Sequence, residues 1–306
     1  MVSHRGRRGR FWIAPWSRAR RVLGINARNL LYVHGLNSRR HFPLADEKIL
    51  TKEVLAAAGV PVSETLMVLS NLAQVTQARD HLAEAGEFVI KPARGRQGSG
   101  ILVITGSEGE GFRRAAGSVL SWDDLKRAMG DILFGVHSVG RADRVLVERR
   151  IRPHPALGPL AEFGLPDIRV ILLRGEPVMA MMRVPTRASE GRANLHQGAL
   201  GIALDLRDGL AFRCVMKGKE ASAHPDNGAP VTGFTMPLWD DVIDVARRAG
   251  AALPLAYLGA DVILAAREGA LIMEVNVRPG LEIQNINGCG LRRRLERLSA
   301  IQEGGA

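Results

Sequence analysis

Two features that many proteins rely on are scarce in this sequence: cysteine and long hydrophobic runs. The chain has 306 residues but only two cysteines, Cys214 and Cys289. They are too few and too widely spaced for a disulfide framework or a cysteine-based metal site, so we interpret both as ordinary thiols of a reducing compartment. No apolar run reaches the length of about 18 residues that a membrane-spanning helix needs, and the N-terminus has no signal-peptide core. We therefore expect a globular, cytoplasmic protein.

Acidic residues and lysine are missing from the first 45 positions. This segment carries ten arginines out of the chain's 42 basic residues and none of its 31 acidic ones, so it accounts for most of the net charge of +11. Phe11, Trp12, Ile13 and Trp16 are interleaved with the arginines. We assign residues 1–40 to a basic arm. Two interpretations stay open: weak contact with an anionic membrane surface or RNA, and a flexible, solubilising arm.

Hydrophobic periodicity predicts helices and strands in two halves. The expected helices span 46–59, 73–85, 122–129 and 238–252, and the expected strands span 60–69, 88–92, 101–104, 145–148, 167–173 and 177–184. A further hairpin is expected over 259–280 with its turn at 267–269. This alternation is typical of an α+β protein whose two lobes hold a ligand between them. We assign 41–146 to the first lobe, 147–292 to the second and 293–306 to a C-terminal tail.

The hairpin over 259–280 carries three oxygen-bearing side chains in an otherwise apolar setting. Folding about its turn brings Asp261 roughly opposite the stretch from Glu274 to Asn276. Residues two apart on a strand share a face, so Glu274 and Asn276 point the same way. A carboxylate among apolar residues is costly unless it is paired or binds a cation, and an all-oxygen set suits Mg²⁺ with phosphate oxygens. The alternative is a solvated hairpin end without a ligand.

A glycine-rich loop follows Lys91 and lies between two expected strands. A Walker or dinucleotide-binding loop is followed by a helix, whereas the residues after this loop are apolar and β-branched. The loop therefore resembles a flap whose backbone N–H groups close over phosphates, and the ammonium of Lys91 suits the same anion. A glycine-rich turn with a solvated lysine is an equally common arrangement. The flap residues are Gly95, Gly98, Ser99 and Gly100.

Six motifs in order resemble the ATP-grasp superfamily, and within it the RimK-type α-L-glutamate ligase-like proteins. The resemblance covers about residues 24–290 and implies an ATP-grasp fold, with two α+β lobes clasping ATP after a truncated N-terminal region. The motifs are Asp46-x-Lys48-x-x-Thr51-Lys52, 88–92 with the glycine loop, Leu146-Val147-Glu148, Asp167-Ile168-Arg169-Val170, Arg192-x-Asn194-x-His196-x-Gly198 and Glu274-Val275-Asn276-x-x-Pro279-Gly280.

The resemblance implies a role for each matching position. The flap, Lys52 and Lys91 would bind the phosphates of the nucleotide, and Glu148 would bind the adenine amino group. Asp261, Glu274 and Asn276 would bind Mg²⁺, or Mn²⁺ in its place. Arg169 lies at the transferred phosphoryl group, with a surface strand arginine paired to Asp167 as the alternative. Arg192 and Asn194 face the carboxylate.

The function implied by the resemblance is an ATP- and Mg²⁺-dependent carboxylate–amine ligase that works through an acyl-phosphate. Its substrates would be a small-molecule or peptide carboxylate, with glutamate or a related amino acid as a candidate, and an amine. Two other functions stay open: an ATP-grasp kinase of a small anionic metabolite, and a non-catalytic nucleotide-binding partner protein. Two positions depart from the ligase pattern. Arg149 replaces a second acid, and Arg278 replaces a small residue, where it either holds an anionic group or pairs with Glu282.

Overall fold

The structure is a computed structural model, and it describes residues 21–95 and 98–304. The first half of the predicted basic arm (1–20), the centre of the predicted flap (96 and 97) and the last two residues lie outside the described residues. Within them, four helices span ten residues or more: α1 (Lys48–Ala57), α2 (Trp122–Leu133), α3 (Trp239–Ala252) and α4 (Arg292–Gly304). Shorter helices cover Pro43–Asp46, Leu72–Gln77, Arg79–Ala85 and Glu282–Asn287, and 3₁₀ turns cover Arg39–His41, Pro155–Leu160, Arg187–Ser189 and Leu195–Gln197.

The first lobe is built on a six-stranded antiparallel sheet. Its inner face buries Phe88 and Ile90 against Leu125 and Met129 of α2. Helix α2 begins at a capping box in which Ser121 accepts from the backbone of Asp124, an arrangement that satisfies the free N–H groups of the first turn. The strands lie in the order β1-β6-β2-β3-β4-β5, with β1 Thr65–Leu69, β2 Phe88–Pro92, β3 Leu102–Glu108, β4 Gly111–Arg114, β5 Val119–Leu120 and β6 Val145–Arg149.

The second lobe is built on a seven-stranded antiparallel sheet covered by α3. Val242, Val245, Ala246 and Ala249 are buried on one face of α3, which is the spacing of an amphipathic helix on a sheet. The strands lie in the order β11-β10-β9-β8-β7-β12-β13, with β7 Asp167–Leu173, β8 Glu176–Val184, β9 Leu200–Leu204, β10 Ala211–Met216, β11 Lys219–Glu220, β12 Tyr257–Ala265 and β13 Gly269–Asn276. The predicted hairpins are therefore present, and Asp261 pairs with Glu274 in the register of β12 and β13.

Helix α1 lies between the two lobes and contacts both. Ile49 packs with Ala93 and Leu146 of the first lobe, whereas Leu55 belongs to the core of the second lobe. The same buried side of α1 carries a lysine, Lys52, which is only 8% exposed. Because α1 is held from both sides, its lysines are fixed in the space between the sheets.

The folded body extends further toward both termini than the sequence predicted. Part of the assigned arm forms consecutive helical turns (Ile25–Ala27, Arg28–Val33 and His34–Leu36), and Tyr32 and Val33 are buried in the core of the second lobe. The assigned C-terminal tail is mostly helix α4, whose Leu295 is fully buried. The assigned lobe boundary at 146/147 falls inside β6, which belongs wholly to the first sheet. The sequence did not predict that these terminal segments pack on the core, because their apolar residues are scattered among arginines.

The α+β class with two lobes agrees with the prediction. Both sheets are antiparallel, with helices on their faces. Within the part of the chain that the structure describes, no helix is long and apolar enough to cross a membrane.

Candidate active site

Three of the predicted nucleotide-binding residues form one buried ionic cluster. Glu148 of β6 is 4% exposed. Its Oε1 accepts from the Nζ of Lys52 at 2.6 Å, and its Oε2 lies 2.6 Å from the Nζ of Lys91. Lys52 also donates to the hydroxyl of Ser63 at 3.1 Å. Two buried ammonium groups thus share one carboxylate, which leaves an excess of positive charge suited to an anion.

The protonation of this cluster follows from the same geometry. Burial raises the pKa of Glu148, but the charges of Lys91 and Lys52 outweigh burial, so the pKa lies below its ordinary value. Burial lowers the pKa of Lys52, and the pairing with Glu148 offsets only part of that effect. Glu148 is therefore an anion near neutral pH, held in place by its two partners.

Asp261 lies at the centre of a second cluster, in the second lobe. It is 1% exposed, and Arg169, directly opposite it on β7, donates through Nε at 2.8 Å and Nη2 at 2.7 Å. Arg183 of β8 donates to the same carboxylate at 2.9 Å, and the amide nitrogen of Asn276 donates at 3.1 Å. The predicted convergence of Asp261 and Asn276 is observed, with two guanidinium groups added to it.

The alternative pairing of Arg169 with Asp167 is wrong. Asp167 instead makes a two-point ion pair with Arg183, with distances of 2.6 and 2.7 Å, because these two residues face each other in the register of β7 and β8. Burial raises the pKa of Asp167 to about 6, an effect that Arg183 opposes and the charge of Asp261 reinforces. Burial also raises the pKa of Asp261, but Arg169 and Arg183 outweigh it and hold the pKa below its ordinary value.

The donor set fits Mg²⁺ at two of the three predicted positions. The side chain of Glu274 is 33% exposed, and Asn276 uses its nitrogen toward Asp261, which leaves its amide oxygen as an acceptor. Both are hard oxygen ligands of the kind that Mg²⁺ takes alongside phosphate oxygens. The carboxylate of Asp261 already accepts four hydrogen bonds, from Arg169, Arg183 and Asn276, and three of them go to Oδ2. Among the described residues there is no group of three or more His, Cys, Asp or Glu side chains arranged for a metal.

Lys48 links the two lobes, and sequence reasoning gave it no role. Its Nζ donates to the carbonyl of Gly95 in the first lobe at 2.7 Å and lies 3.6 Å from Oε1 of Glu274 in the second. The signal was present, because Lys48 and Lys52 are four apart on a helix and so share one face. Arg183 was missed in the same way, although the predicted hairpin already placed it opposite Asp167.

The described part of the flap lies between the two lobes. The hydroxyl of Ser99 is 3.0 Å from Nδ1 of His137 in the first lobe. Gly98 approaches the second lobe, where a Cβ at its position would lie 3.4 Å from Cδ of Arg192. Gly98 and Gly100 both have φ of +74°, a conformation that glycine adopts without strain. His137 therefore anchors one side of the flap, and Arg192 adjoins the other.

Replacing Gly100 with alanine is expected to disturb this flap. The new Cβ would meet the ring of His137 at 2.6–2.7 Å, in addition to the strain of positive φ. On the expectation from the sequence that this flap covers ATP, we expect Gly100→Ala to raise the KM for ATP by about tenfold or more. Gly117→Ala is the matched control, because Gly117 also has a positive φ but nothing lies near its Cβ position. Equal effects of the two substitutions on KM would show that the contact with His137 is unimportant.

Arg192 and Asn194 lie in a loop of the second lobe. Asn194 accepts from the backbone N–H of His196 at 3.1 Å and so begins the turn Leu195–Gln197. Arg192 lies 3.5 Å from Glu190 and beside Gly98. Within the described ranges these two residues contact their own loop and the flap and are not brought against Asp261.

The two departures from the ligase pattern have structural partners. Arg149 pairs with Glu64, the residue just before strand β1, at 2.5 Å. Arg278 lies over the ring of Phe42, 4.8 Å from its centroid, and 3.7 Å from Asp46. Of the two alternatives for Arg278, the pairing with Glu282 is not the one observed, because Arg278 contacts the segment before α1 instead.

Comparisons with known proteins identify a family and distant relatives. Residues 27–300 match the model of the family described as sugar-transfer associated ATP-grasp. A probable alpha-L-glutamate ligase of Mannheimia succiniciproducens is 26% identical over 248 residues, covering 81% of this chain and 60% of that protein. The ribosomal protein bS6–L-glutamate ligase of Salmonella paratyphi B is 26% identical over 267 residues, covering 87% of this chain and 67% of that protein.

Solved structures resemble the chain more distantly. The D-alanyl-alanine synthetase A of Vibrio cholerae is 15% identical with a TM-score of 0.49, covering 86% of this chain and 66% of that one. A likeness at this level supports no statement about substrate. This chain spans about three fifths of the length of the first of the two glutamate ligases.

Proposed function

The chain belongs to the sugar-transfer associated ATP-grasp family, and from that premise we propose that it is an ATP- and Mg²⁺-dependent ligase that joins a carboxylate to an amine. Membership of this family confirms two predictions from the six sequence motifs: that the chain is an ATP-grasp protein and that it has the ATP-grasp fold. The resemblance to glutamate ligases is borne out by the two curated relatives. The reaction and its substrates are our proposal.

The observation that carries the proposal is the position of Lys48 between the lobes. Its ammonium links the backbone at the base of the flap to Glu274, while Lys52 and Lys91 add two buried positive charges nearby on the first-lobe side. Basic groups, a glycine-rich flap and hard oxygen ligands thus border one space. A polyphosphate with its cation is the ligand that requires all three.

We assign a role in this arrangement to each predicted nucleotide contact. Lys52 and Lys91 bind phosphate oxygens, and the backbone of Gly95, Gly98, Ser99 and Gly100 closes over them. In this proposal Glu148 accepts a hydrogen bond from the amino group of adenine. It does so while it remains paired with at least one of the two lysines. Glu274 and Asn276 would hold Mg²⁺, or Mn²⁺ in its place, with Asp261 as the third proposed ligand, and the ion would neutralise charge on the phosphate oxygens. Arg169 is assigned to the phosphoryl group.

In the proposed reaction, each residue around the substrate carboxylate has a role. An oxygen of the carboxylate attacks the terminal phosphorus of ATP, ADP leaves, and the amine then displaces phosphate from the acyl-phosphate to form an amide. Bound Mg²⁺ would neutralise charge on the phosphate oxygens. Arg169 stabilises the charge on the phosphoryl group, Arg192 and Asn194 orient the carboxylate, and the closed flap excludes water that would hydrolyse the intermediate.

The substrates we propose are an amino acid, with glutamate first, and an amine carried by a small molecule or a peptide. The support is the names of the two relatives, a glutamate ligase and a ligase that acts on ribosomal protein bS6. Both are distant in sequence, so a panel of carboxylates is the appropriate first screen.

Hydroxylamine provides the test, because it traps acyl-phosphates as hydroxamates whatever the natural amine. The full chain is incubated with ATP, Mg²⁺ and each carboxylate, and hydroxamate and ADP are measured. We expect carboxylate-dependent formation of both products. ADP release with a stable phosphorylated product and no hydroxamate would replace the ligase with a kinase, and the absence of nucleotide binding by folded protein would contradict both.

A further inference from the structure

We propose that Arg28 is a positioning residue for the metal end of the site, because it fixes the backbone turn that follows Asn276. The inference rests on the proposed function, in which Glu274 and Asn276 would hold Mg²⁺ beside ATP. It adds a residue that lies about 250 positions away from this turn in the sequence. Arg28 acts on the site through the backbone of residues 277–280.

Arg28 begins a π-helix, which is an unusual element. The segment Arg28–Val33 is a π-helix between two short α-helical turns, Ile25–Ala27 and His34–Leu36. At its end the N–H of His34 donates to the carbonyl of Asn29, five residues earlier. Helices of this kind are rare and occur frequently at functional sites. The π-helix therefore marks this stretch as a candidate for function, although its composition predicted a basic arm.

The guanidinium of Arg28 is buried and bonded to uncharged oxygen atoms. Arg28 is 7% exposed. Its Nη1 donates to the carbonyl of Pro279 at 2.8 Å and lies 3.5 Å from the carbonyl of Arg278. Its Nε and Nη2 donate to the side-chain oxygen of Asn29 at 3.1 and 2.8 Å. None of these partners is a carboxylate, and a charge buried without a counterion is costly. Such an arginine is a poor choice for stability alone, which indicates that the bond to the turn matters.

A second contact holds the same turn against β12. A Cβ at the position of Gly259 would lie 2.7 Å from Cβ of Pro279, so Pro279 packs directly on the backbone of this strand. Gly259 is opposite Asn276 in the register of β12 and β13, and it shares a face of the strand with Asp261 two residues later. Gly259 and Arg28 therefore fix between them the turn that begins at Asn276.

The position of this turn limits the movement of Asn276. Asn276 is the last residue of β13, so its orientation depends on the turn that follows it as well as on the strand. Its amide nitrogen donates to Asp261 at 3.1 Å, and its amide oxygen is the atom proposed for Mg²⁺. A displacement of about 1 Å is enough to weaken a site that depends on preorganised groups. The bond from Arg28 to Pro279 therefore keeps Asn276 in place.

Titration calorimetry of the full chain with ATP, in the presence and absence of Mg²⁺, tests the inference. Arg28→Met keeps an apolar side chain but removes the bonds to the turn. We expect this variant to bind ATP without Mg²⁺ like the wild type and to lose at least about tenfold of the gain in affinity that Mg²⁺ provides, the range measured for residues that orient metal ligands. Arg28→Lys keeps the charge and one donor group, and we expect it to lose about threefold.

Gln284→Met is the matched control. Gln284 is 5% exposed and also joins the N-terminal helical turns to the fold, because it exchanges hydrogen bonds with the backbone of Leu23 at 2.8 and 3.1 Å. Its other bonds go to the backbone of Leu281 and Leu291, beyond the turn. We expect both methionine variants to lose stability in chemical denaturation, and only Arg28→Met to lose the gain from Mg²⁺.

Three results would overturn the inference. The first is an undiminished gain from Mg²⁺ in folded Arg28→Met, and the second is an equal loss of that gain in Gln284→Met. If Arg28→Met does not fold, a full gain in Arg28→Lys has the same meaning. The third is a folded wild type that gains nothing from Mg²⁺, which would contradict the proposed function and this inference with it. That result is distinct from the others because it needs no variant.

Discussion

Glu148→Gln is expected to lower the free energy of unfolding by about 3–5 kcal/mol, the range measured when one partner of a buried ion pair is removed. Glu148 is the only carboxylate bonded to Lys52 and Lys91 within the described residues, at 2.6 Å to each. Glutamine keeps the shape but removes the charge, so two ammonium groups remain buried without a counterion. Chemical denaturation at neutral pH measures the loss.

The matched control is Glu64→Gln, which breaks another pair on the same sheet. Glu64 and Arg149 are about half exposed, and an exposed pair contributes only about 0–1 kcal/mol. Equal losses of stability in the two variants would contradict the assignment of Glu148 as a buried counterion.

The effect of Glu148→Gln should also depend on pH. The pKa of Glu148 is lower in the folded protein than its ordinary value, so the charged carboxylate contributes stability that is present above the ordinary glutamate pKa. That contribution is lost as the pH falls through the folded pKa, because both states then bind the proton. The difference between wild type and variant is therefore largest near neutral pH and shrinks in acid. A difference that grew in acid would contradict this account.

Glu274→Gln is expected to reduce ATP turnover by about a hundredfold to a thousandfold while leaving the protein folded, since the substitution removes electrostatic stabilisation at the reacting phosphates. Glu274 is the partly exposed acid of its cluster, 3.6 Å from Lys48, and it does not support the core. Turnover is measured as ADP release in the hydroxylamine assay, with an unfolding curve for stability.

Glu268→Gln is the control for this prediction. Glu268 lies at the turn of the same hairpin, is exposed and is distant in register from Asp261. It should retain wild-type turnover. Near-normal activity of Glu274→Gln, or an equal loss in the control, would contradict the metal assignment.

Much of this site could be predicted from the sequence because strand pairing is local. The turn at 267–269 sets the register of β12 against β13 as far as the pair Val262–Ile272, and this brings Asp261 into the neighbourhood of Glu274 and Asn276. A shift of register between Asp261 and Val262, which the sequence pattern does not predict, then places Asp261 opposite Glu274. The two lobes followed from the same periodicity. The order of the motifs indicated the ATP-grasp fold.

The rest depends on contacts between distant segments. The local sequence pattern does not show that Glu148 forms ion pairs with both Lys52 and Lys91, because the three residues belong to three separate elements. The pairing of Asp261 with Arg169 requires β12 to lie beside β7, which are separated by about ninety positions. The packing of Tyr32 into the second lobe was hidden by the surrounding arginines, whose composition favours an unstructured arm.

The central claim is that residues of both lobes build one site for ATP with Mg²⁺, and titration calorimetry with ATP, in the presence and absence of Mg²⁺, tests it without knowledge of the other substrates. We expect the wild type to bind ATP more tightly with Mg²⁺, and Glu274→Gln to bind ATP without that gain. Failure of the folded wild type to bind ATP, or an undiminished effect of Mg²⁺ in Glu274→Gln, would contradict the account.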